Sequence, residues 1–450
     1  MQAAAMCGSL FQLATAKWIC YTGWERIQPI NGNEVKSMIE NFNAKLREYA
    51  HLLVEVGMNV QPGQTPRIVG TVDCAPLVRL CVDAALEAGA RDVIVDWSDD
   101  YVTRQRYLRA EEQVFSEFPS YLQAKFDYFT DHNTPILTID SSDPELLQGV
   151  DAGRIQTWRR TYGTAVRRYY DAMTAGKFQW AIGAYPTAEW AKKVFPDKSE
   201  SEAVDALWEA IFATCRVSGD GTAAEQWRKH TDTCARRCKT LNEYNFKSLR
   251  YRNFLGTDLT VTLPENHVWQ GGSEKNAAGV EFVANMPTEE VFTAPQRDGV
   301  NGRVYAALPL SLNGNLIRNF YLDFKDGKIV DIHAEAGEDQ LKAATQVDEG
   351  ASYLGEVALV PYDSPIRNTG ILFYNTLFDE NASCHLAFGS AYPNCVRGGE
   401  ELDEQGQLAA GLNQSITHVD FMVGTEDLSI TGVTHDGKEV PVFVNGNFAF

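Results

Sequence analysis

RIVGTVDCAPLVRLCVDAALEAGARDVIVD, residues 67–96, decides the fold class. Residues 67–72 form a short apolar strand. From Ala75 to Ala88 the apolar residues recur at helical spacing, and Gly89 stops the pattern, which predicts an amphipathic helix. Asp92-Val-Ile-Val-Asp96 is the next strand. Strand, helix and strand in thirty residues make a crossover unit, so the two strands run parallel. The first strand–helix turn has no GxGxxG and no Walker motif, so the usual phosphate-cradling loops are missing.

The alternation extends in both directions. Upstream, Phe42, Leu46, Tyr49, Leu52 and Leu53 lie at helical spacing. Downstream, 101–117 reads as a helix, 135–139 as a strand, 155–173 as a helix and 178–183 as a strand, with helices to about 246. Residues 38–246 are therefore expected to be an α/β domain with a doubly wound parallel sheet. From about 247 alternating strands dominate, at 259–263, 279–283, 302–306 and 320–324, with a helix over 338–347. Asp326-Gly327 and Asp436-Gly437 are hairpin signals. Residues 247–450 are expected to be a β-rich (α+β) domain, and 1–37 an N-terminal extension.

The whole chain has 450 residues, 44% hydrophobic and 22% charged, which excludes disordered and collagen-like classes. Its formal charge is −20, which argues against nucleic acid and anionic membranes as partners. Residues 241–450 hold 13 basic and 29 acidic side chains, a net of −16. A solvated acidic surface and a cation site both fit that excess. No 18-residue apolar run is present, and Lys17 follows rather than precedes the apolar N-terminal stretch, so neither a membrane span nor a secretory signal is expected. A cytoplasmic location is the default. The nine cysteines follow no disulfide pattern, and Cys234 and Cys238, four apart on a helix, read as two ordinary thiols.

No HExxH, GxSxG or CxxC motif occurs. Hard donor groups instead gather in the acidic half. Glu289 and Glu290 stand together between prolines in PTEEVFTAP, 287–295. Glu356 sits inside the apolar run LGEVALV, where a buried carboxylate needs a partner. His385 is flanked by apolar residues, and Tyr392 follows seven later. His418 and Asp420, two apart on a strand, face the same side. Singly, each is ordinary: a core histidine, a chance HxD, a solvated glutamate. Together they are the donor types of zinc, cobalt or manganese, in a number that suits two cations better than one.

The runs PTEEVFTAP, LGEVALVPYDSP (354–365), NTLFDENASCHLAFG (375–389) with the following AY, and HVDFMVG (418–424) resemble the M29 family of metallo-aminopeptidases. YAHLLVEVGMNVQPG (49–63) is similar to the start of that family, so the likeness runs from about residue 38 to the C-terminus. The resemblance implies two divalent metal ions and release of N-terminal amino acids from peptides with a free N-terminus, by a homodimer. It implies Glu290, Glu356, His385, Tyr392, His418 and Asp420 as the metal ligands, with Glu289 as the alternative to Glu290. Glu290, Glu356 and Tyr392 are the residues expected to take part in the reaction, the proton passing through Glu290 or Glu289. Asp379, Glu380 and Asn381 are expected to orient ligands. A metal-dependent amidase acting on non-peptide amides is the alternative activity, and a non-catalytic protein with structural cations a third reading.

Overall fold

The computed structural model describes residues 37–450 except 142, 313 and 314. The expected extension therefore lies, apart from Ser37, outside the described residues. Four strands, Arg67–Thr71, Ile94–Ser98, Ile136–Asp140 and Trp180–Ala184, form a wholly parallel sheet. Its spatial order is Ile94–Ser98, Arg67–Thr71, Ile136–Asp140, Trp180–Ala184. The crossover helix Ala75–Glu87 buries Leu77, Val78, Cys81, Ala84 and Ala85, the stripe its periodicity predicts. Phe42, Leu46, Tyr49, Leu52 and Leu53 are all buried on the helix Phe42–His51 and the π-helical turn Leu52–Gly57 that continues it.

Two helices are shorter than their periodicity suggests. The expected 101–117 helix ends at Arg109, because Ala110 is extended and the chain re-forms as a 3-10 turn, Glu112–Phe115. That break lets the fully buried Phe115 stack on Tyr107, with centroids 5.4 Å apart. The 155–173 region is two helices, Ala152–Ala165 and Arg167–Thr174, divided at Val166. Val166 is buried against Phe126, Tyr169 and Phe178. In both places tertiary burial outweighs local helix propensity. A further helix, Ser120–Asp131, was not anticipated.

The second half holds two antiparallel sheets of five and nine strands. Asp326 (φ 49°) and Gly327 (φ 81°) make the expected hairpin between Asn315–Lys325 and Lys328–Ala336. The expected strand 279–283 shrinks to Glu281–Phe282, which pairs only with Glu274–Lys275. The five-stranded sheet runs His418–Met422, His385–Gly389, Leu354–Leu359, Val291–Thr293, Gln270–Gly271. Val357, Leu359, Leu386, Phe388, Val419 and Phe421 project into a core shared with the nine-stranded sheet and with Cys234, Cys238 and Leu241 of the helix Ala223–Tyr244. Strand alternation therefore leaves Glu356, His385, His418 and Asp420 on the opposite face.

The parallel sheet reaches this face directly. Ile182 N–H donates to Ala284 O at 2.8 Å, and Met286 N–H donates to Ile182 O at 2.9 Å. Residues 284–286 thus dock on the Trp180–Ala184 strand, and Glu290 follows four residues later. Residues Ser37–Phe450 form one compact unit.

Candidate metal centre

A β-bulge sets up the site. Leu354 stands opposite Phe388, yet Glu356 stands opposite Ala387, so two residues on one strand match one on the next. Without the extra residue, Glu356 would share Leu354's face and enter the hydrophobic core. Gly355 makes the bulge possible: a Cβ there would lie 2.3 Å from Ser390 O and 2.5 Å from Gly389 O. Ala387 faces Glu356 on one side and Asp420 on the other. Its methyl group leaves space between the two carboxylates.

The donors converge. Glu290, Glu356 and His385 place ligand-type atoms within 4.8 Å of one another, and so do Glu356, His418 and Asp420. Glu356 belongs to both groups. His385 Nε2 is 3.1 Å from Glu290 Oε2, and His418 Nε2 is 3.0 Å from Glu356 Oε2 and 3.3 Å from Asp420 Oδ1. Behind each imidazole stands a backbone carbonyl: Ser383 O at 3.3 Å from His385 Nδ1, Ser390 O at 2.7 Å from His418 Nδ1. A carbonyl only accepts, so Nδ1 carries the proton in both rings and Nε2 is the atom offered to the site.

The two neighbouring glutamates part company. Glu290 faces the pocket, whereas Glu289 is 3% exposed and pairs with Arg216, whose Nη2 lies 2.7 and 3.0 Å from its two oxygens. Tyr392 also lines the pocket, its ring 5.1 Å from that of His418. The pocket walls, then the charges of Glu356, Asp420, Glu380 and Glu290, push its phenol well above the ordinary value.

Glu380 had been expected only to orient ligands. Its carboxylate lines the pocket itself, and burial, then Asp420 and Glu290, raises its pKa well above the usual range. Asn381 does orient the site: its Oδ1 accepts from Glu289 N–H at 2.8 Å, and its Nδ2 lies 3.3 Å from Glu380 Oε1. Asp379 caps the preceding turn through Phe373 and Asn375 N–H. Glu274, Met173 and Trp180 line the same pocket and had no sequence signal at all.

The cavity measures about 300 Å³. Glu274, Glu290, Glu356, Glu380 and Asp420 line it, with no lysine or arginine among the described residues. Burial alone would lower the pKa of His385, but Glu290, then Asp420 and Glu356, lifts it to about 10. Burial likewise opposes protonation of His418, yet Asp420 and Glu356 raise it well above the ordinary value. Glu290 Oε2 is buried without a hydrogen bond of proper geometry. Buried carboxylates in excess and two pre-oriented imidazole nitrogens form a donor set that fits divalent cations.

Residues 42–448 match the family model described as thermophilic metalloprotease (M29). Aminopeptidase AmpS of Bacillus subtilis (strain 168) is 47% identical over 412 residues, covering 92% of this chain and 100% of that protein. Aminopeptidase 2 of Geobacillus stearothermophilus is 44% identical over 92% of this chain and 99% of its own. The solved structure of wild-type AmpT from Thermus thermophilus superimposes with a TM-score of 0.85 at 35% identity, over 91% of this chain and 100% of that one. With a metal-suited pocket built from the motifs at 287–295, 354–365, 375–389 and 418–424, the chain belongs to the M29 family of metalloproteases.

Proposed function

We propose that this chain is an aminopeptidase that releases N-terminal amino acids from peptides, using two divalent cations. Glu290, Glu356, His385, Tyr392, His418 and Asp420 would hold them, Glu356 being the donor common to both groups. The observation that carries this reading is the pair of donor groups meeting at Glu356. When bound, such a pair acidifies water and polarises an amide carbonyl. Zinc, cobalt or manganese suits these donors.

The protein's own groups do the rest. The Ser383 and Ser390 carbonyls hold both imidazoles with Nε2 turned to the site. Glu380 lines the pocket outside both donor groups and close enough to Asp420 and Glu290 to feel their charges, and in place of Glu290 or Glu289 it takes a proton from water and delivers it to the leaving amine. Met173, Trp180 and Phe292 give the cavity apolar walls that exclude bulk water from the peptide bond. The β-rich part, 247–450, carries the catalytic groups, and the doubly wound part, 38–246, closes the pocket. A cytoplasmic homodimer is the form in which the enzyme is proposed to work; no helix among the described residues is long and apolar enough to cross a membrane.

The test is metal removal by a chelator, restoration with zinc, cobalt or manganese, and hydrolysis of aminoacyl-anilides with free and acetylated amines. Activity should vanish on chelation, return with metal, and require the free amine. Hydrolysis that survives complete metal removal overturns the metal mechanism, and equal cleavage of the acetylated substrate favours an amidase instead.

A further inference from the structure

Glu274 stands apart from the other acidic groups at the pocket. It lines the same pocket, on a short hairpin held by close contacts. Gly271 pairs with Val291, immediately after Glu290, and a Cβ on Gly272 would lie 2.7 Å from the Cβ of Cys234. Ser273 Oγ donates to Glu281 Oε1 at 2.6 Å, and Glu274 itself pairs by backbone with Phe282. Lys275, next along the strand, points to the other side and is exposed.

Glu274 is half-buried and its carboxylate, among the described residues, makes no hydrogen bond and no ion pair. The charges acting on it are those of other carboxylates, Glu400 and Glu290, and none of the pocket's lining residues is a lysine or arginine. A carboxylate withdrawn from water without a counter-charge is destabilising, and the loss is recovered when a cation enters. Substrates of the reaction proposed above bring such a cation.

We infer that Glu274 is a substrate-anchoring residue that binds a cationic amine of the peptide in the pocket that holds the metal donors. This rests on the aminopeptidase reading and adds the residue that selects for positive charge. Two groups share the required chemistry: the α-ammonium of the first residue, and a lysine or arginine side chain.

The experiment compares metal-loaded wild type with Glu274→Gln, which keeps shape and removes charge, and with Glu274→Asp. Metal content and thermal melting of each variant are measured first, and Glu274→Asp retains the charge should Glu274→Gln fold poorly. If the α-ammonium is held, kcat/KM in Glu274→Gln falls about tenfold or more for leucyl-, lysyl- and arginyl-anilides alike, mostly through KM. If a side chain is held, only the lysyl and arginyl substrates lose that much. Calorimetry gives a readout apart from turnover: hexylamine should bind wild type at least about tenfold more tightly than it binds Glu274→Gln, with hexanol unchanged. Should no aminoacyl-anilide be cleaved by the loaded wild type, the aminopeptidase reading fails, while the hexylamine comparison still decides on Glu274. Anilide kcat/KM values within twofold of wild type, together with equal hexylamine affinity, overturn the inference.

Discussion

Replacing Arg216 with methionine removes the counter-charge behind the metal site without touching any proposed ligand. Arg216 Nη2 lies 2.7 and 3.0 Å from the two oxygens of Glu289, and the side chains are 15% and 4% exposed. His230 Nε2 lies 3.7 Å from Glu289 but is already committed to Thr288 O at 2.8 Å, and Arg237 is the other positive charge that acts on Glu289, without a hydrogen bond to it. His230 brings no charge, because burial and then Arg216 lower its pKa to about 3. Removing one member of such a buried pair costs about 3–5 kcal/mol. The unit Ser37–Phe450 has an unfolding entropy near 0.9 kcal/mol/K, at about 2.1 cal/mol/K per residue. The melting temperature should therefore fall by about 3–6 °C in differential scanning calorimetry. The deficit depends on pH in a definite direction. Burial raises the Glu289 carboxyl even against the pull of Arg216, and without the guanidinium it rises further. A raised acid keeps its proton in the folded state after the unfolded chain has lost it, so stability falls as pH climbs above the unfolded value. Arg216→Met should thus lose more at pH 8 than at pH 5. Glu289 adjoins Glu290, so metal affinity should drop about tenfold or more. The double variant Arg216→Met/Glu289→Leu should regain much of the stability. A single variant that melts within 1 °C of wild type at both pH values, with unchanged metal affinity, refutes the reasoning.

Three further outcomes follow from the site. Glu380→Gln should keep its full metal content, by elemental analysis, while kcat falls about 10²–10⁴-fold, the usual range for a lost proton-transfer group; loss of metal instead would make Glu380 a ligand. Gly389→Ala should destabilise the protein by more than about 1 kcal/mol in denaturant unfolding, since φ is +113° and a Cβ would lie 2.1 Å from Thr417 O. Metal binding should release protons, because His385 holds its proton up to about 10 and His418 is raised in the same direction. Affinity should rise with pH below that value, and calorimetry in buffers of different ionisation enthalpy reads the protons released.

The legible parts of this site are those whose geometry is local. His418 and Asp420 share a face because strand side chains alternate, and that follows from the letters HVD on a strand. Glu356 in an apolar strand likewise marks itself as a carboxylate in need of a partner. What turns it toward the pocket is a bulge at Gly355, and the bulge depends on the approach of Gly389 O and Ser390 O from the end of the neighbouring strand, far along the chain. The choice between Glu289 and Glu290 is equally non-local. Adjacent residues point to opposite sides, and only Arg216 on one side and His385 on the other separate them. The parallel sheet was legible because short strand-like stretches alternate with helical periodicity. The breaks at Ala110 and Val166 were not, since Phe115 and Val166 are drawn into cores assembled from distant residues.

The same non-local assembly explains why so much charge can be concentrated at one place. Glu356, Asp420 and Glu274 come from three strands, Glu290 from the residue just before a fourth and Glu380 from a 3-10 turn, so no short segment carries the repulsion. Folding brings them together on a face opposite a large apolar core, and that core supplies the stabilisation the cluster lacks. Without cations the cluster holds protons on both histidines and on Glu380, which is a poorer counter-charge than divalent ions reaching several carboxylates at once. The acidity of the second half is thus partly structural surface and partly a demand for positive charge. The metal donors meet one part of that demand with inorganic cations, and Glu274 directs the rest toward the substrate's amine.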